Sequence, residues 1–492
     1  MSIALLLLAL AALVALGLGV SARSGHEMGL QQWTVAGRGL GTLFVFLLLA
    51  GEIYTTFTFL GAAGYAYGFG APCYYIVAYG TLAYVISYFI LPPVWTYARE
   101  HNLVSQPDFF AHKYKSKPLG IFVALVGIVA LIPYLVLQFV GLGVIVEAAS
   151  YGSIHKTASV LIGAVVVVLY VITSGVRGTA WTAVVKDVMI LSVAAFLGFY
   201  LPIHYYGSIT HMFEAVDKAR PGFLAFAASG QSVSWFVSTV LLTALGFFMW
   251  PQAMGACYTA RNADVFRKNA IVLPLYQLVM LFIIFVGFTA FLQVPGLKGG
   301  ATNSALLKIV VASFPPAVVG IVGAAGVLTA LVPGSLIIMS AATLCARNVV
   351  APLWPQISDE TTVLLAKILV PVIALIGAFF AIAGNSTIVA LLLMGYSFVT
   401  QLFPALVSSL LPNSPVTKWG AFAGIAAGVA TVVYLSLAHQ TMGTLFPALP
   451  EMVRDLNVGI VALIVNLIAL GIVSALTARR SGVALRDEHG QA

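Results

Sequence analysis

About thirteen apolar segments, each long enough to cross a bilayer as a helix of ~20 residues, succeed one another along the chain. Their approximate bounds are 3–20, 39–66, 71–97, 119–148, 157–176, 180–205, 233–254, 269–293, 315–346, 362–384, 387–410, 417–438 and 457–478. Charged side chains make up 8% of the 492 residues, against about 25% in an average soluble chain. Because so few charges cannot cover a soluble surface, the sequence predicts an all-α polytopic membrane protein and excludes soluble enzymes.

The polar stretches between these segments are short. The longest, about 206–232, is too short for a soluble domain, so we expect residues 1–492 to form a single transmembrane domain. The three cysteines, Cys73, Cys257 and Cys345, have neither a metal-binding spacing nor a disulfide pattern, and no cofactor is predicted. In a membrane protein the net charge of +8 indicates basic cytoplasmic loops rather than a nucleic-acid partner.

The distribution of basic residues predicts the orientation of the chain. No Lys or Arg precedes the first apolar segment and Arg23 follows it, which favours a retained helix with an outside N-terminus over a cleaved signal. With thirteen spans, sixteen of the 23 Lys and Arg then fall at predicted inner loops and helix ends, and six at outer loops. We therefore expect a multi-pass protein of the cell (inner) membrane with a cytoplasmic C-terminus.

Glu52 lies near the middle of the second apolar segment, where a charge costs roughly 2.5–3.5 kcal/mol on insertion scales and usually marks a site. Gly51 precedes it and weakens the helix by about 1 kcal/mol relative to alanine. The hydroxyl residues Tyr54, Thr55 and Thr56 follow and can satisfy loosened backbone groups. We expect a broken helix here, of the kind from which many transporters build a site. The alternative is an unbroken helix in which Glu52 is hydrogen-bonded to a neighbour.

Lys186 and Asp187 are the other ionisable side chains at depth. Counted from Arg177 at the predicted inner loop, Lys186 lies ~13 Å along its helix. Adjacent helical residues point about 100° apart, so we expect the two side chains to have different partners. The alternative is that Lys186 anchors the inner end of the helix and its ammonium reaches back to the surface.

Pro333, in the ninth segment, removes the backbone hydrogen bond to the carbonyl of Thr329. We expect a kink there, which either exposes a free carbonyl oxygen to its neighbours or serves packing alone. Gly246, Trp250 and Pro251 predict a similar weak point in the seventh segment. Breaks in the second and seventh segments, about five helices apart, suggest two halves in an inverted repeat.

Three motifs, in their order along the chain, resemble those of the sodium:solute symporter family, whose members include proline permease and the sodium/galactose symporter. They are Ala50-Gly51-Glu52-Ile53, the glycine-rich turn and Trp-Thr pair in 174–182, and the stretch from Pro251 through Ala260-Arg261-Asn262 to Arg267-Lys268. The stretches 51–55, 133–138 and 184–187 resemble the branch of bacterial monocarboxylate permeases.

The resemblance implies a transporter rather than an enzyme, with a LeuT-type core and alternating access. The core would span helices two to eleven, as a 5+5 inverted repeat of 39–205 and 233–410. The segment 3–20 would be an extra N-terminal helix, and 417–478 would contain two extra C-terminal helices.

The resemblance also implies a cation-binding region, but this chain lacks some of the side chains that form it in the family. In sodium-coupled members, the cation is bound by backbone carbonyls of the broken second helix. The ninth helix supplies one further carbonyl and two hydroxyl side chains. Here the carbonyls belong to Ala50, Ile53 and Thr329, but the hydroxyl pair falls on Val332 and Pro333, which have no side-chain oxygen. The acidic residue that usually follows the Trp-Thr pair is replaced by alanine.

Lys186, one turn beyond that pair, suggests a substitute for the metal ion. In a proton-coupled amino-acid transporter of the same general fold, a lysine on the corresponding helix places its ammonium where sodium would sit. Because burial favours the neutral forms of Lys and Glu, we predict proton coupling or cation independence. Lys186 would then lie beside the Thr329 carbonyl as sodium surrogate, with Glu52 as proton carrier. The alternative is Na⁺, held by the three carbonyls and by the side chains of Glu52 and Thr329.

The solute is expected between the broken helices near the midplane, where aromatic rings and amides suit a small polar molecule. The candidate lining residues are Tyr54, Thr55, Phe57, Tyr134, Gln138, Trp250, Gln252 and Tyr396. No arginine is available at that depth, so an anion would need half-helix N-termini, hydroxyls or Lys186. The branch resemblance implies a monocarboxylate. An amino acid or other small solute carried with Na⁺ is the alternative, and the oligomeric state is not predicted.

A proton-pump subunit of a respiratory complex is a more remote alternative. Such subunits carry several buried lysines and histidines along a central axis, whereas the eight histidines here fall in loops or at helix ends. A membrane enzyme is not supported, since no paired nucleophile and base stand at one depth.

Overall fold

Apolar helices make up almost all of the described chain. The computed structural model describes residues 2–23 and 35–489, apart from the side chains at 22–23, 36, 175–177 and 479–489. Within these residues, eleven helices are long and apolar enough to cross a bilayer, or twelve if one bent pair is counted as a span. The prediction of an all-α polytopic protein is therefore confirmed. The number thirteen stays a prediction, because the segment 39–66 is not one long helix.

Nineteen helices of at least eight residues stand in the described chain. In chain order they are α1 (Ile3–Arg23), α2 (Thr42–Gly51), α3 (Ala62–Phe69), α4 (Tyr75–Glu100), α5 (Gln106–Lys113), α6 (Lys117–Ala149), α7 (Lys156–Tyr206), α8 (Ile209–Ala219), α9 (Val233–Gly246), α10 (Pro251–Tyr258), α11 (Asp264–Gln277), α12 (Met280–Gln293), α13 (Ala305–Ser313), α14 (Pro316–Thr343), α15 (Asp359–Ala383), α16 (Ile388–Val399), α17 (Phe403–Leu410), α18 (Lys418–Leu437) and α19 (Val458–His489). Of these, α5, α8 and α13 lie in stretches predicted as connections. Ser105 and Ser208 cap α5 and α8 by accepting hydrogen bonds from backbone N–H groups of the first turn.

The second and seventh segments are broken, as predicted. Between α2 and α3 the chain forms turns at 52–55 and a π-helical turn at Phe57–Gly61. The seventh segment bends by 50° between Val233–Met249 and α10. Trp250 is extended there, with φ −65° and ψ 130°, because the following Pro251 disfavours a helical residue before it. In contrast, α14 continues through Pro333 without interruption, so the kink predicted at that proline stays a prediction.

The helix α7 covers two predicted segments, and its contacts show that the chain reverses within it. The Lys156 ammonium donates to the carbonyl of Gly384 at 3.3 Å, and the hydroxyls of Tyr205 and Ser313 are 2.8 Å apart. Lys156, Gly384 and Val311 line one cavity, so both ends of α7 lie at the same end of the bundle. Its two arms, Lys156–Ser174 and Gly178–Tyr206, each qualify as a span.

The N-terminal helix packs on this core through small residues. A Cβ added to Gly19 would lie 2.5 Å from the Cβ of Ser174, and one added to Gly320 would lie 2.7 Å from Leu7. Such close approaches are typical of helix contacts in membranes, where association depends on tight packing rather than on the hydrophobic effect. These contacts hold α1 against α7 and α14.

Gly70, after α3, is the position where a side chain is expected to be tolerated least. Its φ is +72°, and an added Cβ would lie 2.0 Å from the backbone oxygen of Phe223. We expect Gly70→Ala to lower the free energy of unfolding by about 2 kcal/mol or more, since backbone strain alone costs of order 1–3 kcal/mol. Thermal unfolding of the detergent-purified protein measures this effect.

Gly68→Ala is the matched control. Its added Cβ would meet only the Thr302 methyl, at an ordinary 3.5 Å, and alanine favours a helix over glycine by about 1 kcal/mol. We expect this variant to melt at the wild-type temperature or above. If both variants melted alike, the close approach of Gly70 to Phe223 would not hold the two segments together.

Candidate functional site

The break after α2 is held together by its own backbone and hydroxyl groups. The N–H groups of Ile53 and Tyr54 both donate to the carbonyl of Ala50, at 3.0 and 2.9 Å. The Thr55 N–H donates to the Ile53 carbonyl at 2.9 Å, and the Thr58 hydroxyl donates to the Thr55 carbonyl at 2.9 Å. Hydroxyl side chains therefore satisfy part of the loosened backbone, while two carbonyls in the break, those of Glu52 and Tyr54, accept hydrogen bonds from distant helices.

Lys186 reaches this break from α7. Its side chain is fully buried, and its ammonium donates to the carbonyl of Tyr54 at 3.3 Å. The ammonium nitrogen also lies 2.8 Å from a carboxylate oxygen of Asp187, which is 3% exposed. The alternative of an anchor at the membrane surface is therefore wrong, because a snorkelling lysine would place its ammonium in water.

The expectation that Lys186 and Asp187 have different partners is also wrong. The two side chains form a buried ion pair. The flexible lysine stem lets the ammonium reach the neighbouring carboxylate although the two Cα–Cβ bonds point about 100° apart. The pair neutralises both charges in a region where an isolated charge would be costly.

The lysine also lies next to the region where the family pattern has its hydroxyl pair. A Cβ added to Gly51 would lie 3.5 Å from the Lys186 ammonium and 3.9 Å from a methyl of Val332. The predicted contact with the Thr329 carbonyl does not occur among the hydrogen bonds of the described residues, since the lysine bonds to Tyr54 instead. The Thr329 hydroxyl is turned to its own helix and donates to the Gly326 carbonyl at 2.6 Å.

Glu52, which also lies in the break, is bound to the seventh segment. Its carboxylate accepts a hydrogen bond from the Gln252 amide at 3.0 Å, and its other oxygen has no partner among the described residues. Its backbone carbonyl accepts from the Tyr134 hydroxyl at 3.0 Å. Glu52 therefore joins the breaks of the second and seventh segments to α6.

Aromatic rings from five elements meet beside Glu52. The ring of Trp250 lies 4.7 Å from that of Tyr134 and 5.3 Å from that of Tyr396. The ring of Tyr396 lies 5.9 Å from that of Tyr79, which is 6.5 Å from Phe57. The structure thus brings together four of the predicted lining residues, and we call these five rings the aromatic cluster.

One buried hydrogen-bond donor next to the break has no acceptor among the described residues. It is the amide nitrogen of Gln138, which lies one helical turn from Tyr134 on α6. The oxygen of Gln138 is already used, because it accepts from the Thr56 hydroxyl at 2.8 Å. The indole N–H of Trp250 has the Tyr396 hydroxyl as its partner. An unpaired buried donor is costly, so the Gln138 amide suits a ligand that brings an acceptor atom.

Tyr54 and Thr55 make contacts within the break and with α11. The Tyr54 hydroxyl donates to the carbonyl of Tyr276 at 2.7 Å, and the two rings lie 4.6 Å apart. The Thr55 hydroxyl oxygen accepts from the Phe57 N–H at 3.1 Å. Both side chains are buried.

Two residues of the site escaped the sequence reasoning: Tyr79 in the aromatic cluster and Tyr276 beside Tyr54. A signal for Tyr79 was present, since Tyr75 and Tyr79 are one helical turn apart in an otherwise apolar segment and tyrosines buried in a membrane need polar neighbours. Tyr276 had no such signal, because its role depends on a helix distant in sequence. Thr56 was expected to satisfy loosened backbone groups, but its contact with Gln138 was not foreseen.

Contacts close the site toward both ends of the bundle. At the basic end, which carries Arg38, Arg99 and Arg261, the Gln106 amide donates to the Met249 carbonyl at 2.8 Å. At the other end, here called the opposite end, the Tyr65 ring stacks on Trp235 at 6.3 Å and its hydroxyl accepts from the Gln231 amide at 2.5 Å. The aromatic cluster and Glu52 lie between these two layers.

Known proteins resemble this chain along its length. The model of the sodium:solute symporter family matches residues 33–428. The uncharacterized symporter YhjB of Bacillus subtilis (strain 168) is 59% identical over 484 residues, which are 98% of this chain and 99% of that protein. A monocarboxylate transport permease protein of Rhizobium johnstonii is 28% identical over 411 residues, or 82% of each chain.

A solved structure shares the fold. It is that of a Na⁺-coupled sialic acid symporter in a substrate-bound, outward-open state. The match has a TM-score of 0.78 at 13% sequence identity and covers 97% of this chain and 98% of the other. The LeuT-type transporter fold expected from the motifs is therefore confirmed.

Proposed function

Since this chain belongs to the sodium:solute symporter family, we propose that it is a secondary active transporter that carries a small monocarboxylate together with a proton. The observation that carries this proposal is the buried Lys186 ammonium, which binds the broken second helix at the Tyr54 carbonyl and lies beside Gly51 and Val332. The lysine nitrogen thus lies in the region where a metal cation would otherwise be required.

The side-chain chemistry argues against a metal ion at this place. Val332 and Pro333 bring no oxygen, and the Thr329 hydroxyl donates to its own helix. The carbonyls of Ala50 and Ile53 already accept backbone hydrogen bonds. Lys186 instead donates to the Tyr54 carbonyl, so the break needs no sodium ion to hold it.

A carboxylate fits the unpaired donor beside the aromatic cluster. The Gln138 amide needs an acceptor, and a carboxylate oxygen supplies one. The surrounding rings suit a short aliphatic chain. The similarity to a monocarboxylate permease, over 82% of each chain, supports the same solute class.

Glu52 provides the coupling to protons. Tyr134 contacts both the Glu52 carbonyl and the Trp250 ring, so a solute carboxylate at Trp250 lies near the Glu52 carboxylate. Two like charges at such a distance repel each other. Protonation of Glu52 removes the repulsion, and proton and solute therefore each favour the binding of the other. One proton with one monocarboxylate makes the transport step electroneutral.

Uptake into proteoliposomes tests the solute class. Radiolabelled acetate, lactate, pyruvate and proline are offered under an imposed pH gradient and, separately, under a sodium gradient. We expect accumulation of at least one of the three monocarboxylates under the pH gradient, and none of proline. Accumulation of proline alone would instead assign the chain to amino-acid transport.

Gln138→Leu is the variant for this experiment. It removes the unpaired donor and the Thr56 bond while keeping the volume of the side chain. We expect the KM for the carboxylate to rise at least tenfold, since a hydrogen bond to a charged group contributes about 1.5–3 kcal/mol. Gln356→Leu, at an exposed position outside the cluster, controls for a general effect of the substitution; an equal loss in both variants would remove Gln138 from the site.

A further inference from the structure

A cavity lies at the opposite end of the bundle, away from the aromatic cluster. Its volume is about 590 Å³, within the 300–1,000 Å³ that ligand pockets usually have. We call it the end cavity. Its floor is apolar and includes the buried side chains of Val140 and Leu307. An apolar floor of this size needs an occupant with a hydrocarbon part.

The charges of the end cavity favour an anion. Lys156 and Lys308 line it, with Glu147 as the opposing charge. No ion pair joins Glu147 to either lysine among the salt bridges of the described residues. The Lys156 ammonium is oriented by its hydrogen bond to the Gly384 carbonyl, and Lys308 is exposed. Two ammonium groups above an apolar floor match a short carboxylate.

One wall of the end cavity packs against α3, the helix that follows the break in the second segment. A Cβ added to Gly64, on α3, would lie 2.6 Å from the carbonyl oxygen of Thr302. The next residue, Asn303, lines the cavity and accepts a hydrogen bond from the Ile388 N–H at 3.1 Å, at the start of α16. That helix carries Tyr396 of the aromatic cluster. An occupant of the cavity therefore contacts elements that also position the central site.

We propose that the end cavity is a second carboxylate-binding site, which captures the solute through Lys156 and Lys308 before it enters the central site. This inference rests on the proposed function, since it assigns the same solute class to a second place. Capture by a cationic cavity raises the local concentration of an anion and speeds its association. Its contacts with α3 and α16 link occupancy to the broken helix.

Equilibrium binding of radiolabelled pyruvate to the purified full-length protein tests the proposal. Lys156→Gln with Lys308→Gln removes the charge of the end cavity, and Trp250→Ala removes the central site. We expect each of these proteins to bind one molecule fewer per chain than the wild type, and their combination to bind none.

Uptake gives a second measurement. The lysine variant is expected to raise the KM for uptake about tenfold, within the range of electrostatic steering, while kcat is kept. Lys298→Gln, an exposed residue of the same end, is the control and should change nothing.

The outcomes separate the two proposals. If pyruvate binding disappears entirely in Trp250→Ala and is unaffected by the lysine substitutions, the end cavity is not a solute site although the proposed function stands. If the wild type neither binds nor accumulates any monocarboxylate, the proposed function itself fails. If the second site is seen in phosphatidylcholine vesicles but vanishes when phosphatidylglycerol is included, an anionic lipid headgroup occupies the cavity and the inference is overturned.

Discussion

Lys186→Met is expected to abolish concentrative uptake. The substitution keeps the length of the side chain but removes the ammonium that binds the Tyr54 carbonyl and neutralises Asp187. Breaking a buried ion pair by removing one partner typically costs 3–5 kcal/mol, which corresponds to a factor of roughly 10² to 4 × 10³ in an equilibrium constant. Initial rates of carboxylate uptake into proteoliposomes under a pH gradient measure the effect.

A matched double variant separates this loss from misfolding. Lys186→Met combined with Asp187→Asn removes both charges, so no unpaired carboxylate stays buried. We expect the double variant to recover the thermal stability that the single variant loses, without recovering uptake. Sodium-dependent uptake that persists in Lys186→Met and does not respond to collapse of the pH gradient would contradict the role of the lysine.

Glu52→Gln is expected to uncouple the solute from the proton. Glutamine has the shape of a protonated glutamate and can still accept a hydrogen bond from Gln252, which donates at 3.0 Å in the structure. The repulsion between Glu52 and the solute carboxylate is then permanently absent. We expect the variant to exchange labelled for unlabelled carboxylate at a rate independent of pH, while it no longer accumulates solute when a pH gradient is imposed.

The control for this variant is Glu214→Gln, which changes an exposed glutamate on α8. It should accumulate solute like the wild type. Proton-driven accumulation by Glu52→Gln at the wild-type level would show that another group carries the proton. A loss of exchange as well as accumulation would indicate that the charged carboxylate is needed for folding or for solute binding, and melting temperatures distinguish these two causes.

Much of the fold could be predicted because the bilayer imposes its pattern on the sequence. A helix that crosses the bilayer needs a minimum length of apolar sequence. The two breaks are indicated in the sequence by a mid-membrane charge, Glu52, and by a proline, Pro251. The short helix α8 was missed because its residues are polar. Its beginning was nevertheless readable from Ser208, which caps the helix.

The site could be predicted only in part. Glu52, Tyr134, Trp250 and Tyr396 were identified from residue type and depth, and the structure brings them together. The pairing of Lys186 with Asp187 was not foreseen, because helical geometry gives the direction of a Cα–Cβ bond but not the path of a long flexible side chain. The role of Tyr276, and the contact of Thr56 with Gln138, depend on helices far apart in the sequence, which no local pattern records.

The central claim is that a proton, and not sodium, accompanies the solute, with Lys186 in place of the metal ion. The most direct test is the internal pH of proteoliposomes, followed with an entrapped fluorescent dye, when a monocarboxylate is added outside in sodium-free buffer. We predict acidification of the interior that requires the protein, is unaffected by adding sodium, and disappears in Glu52→Gln. Solute entry that leaves the internal pH unchanged and proceeds only when sodium is supplied would contradict this account.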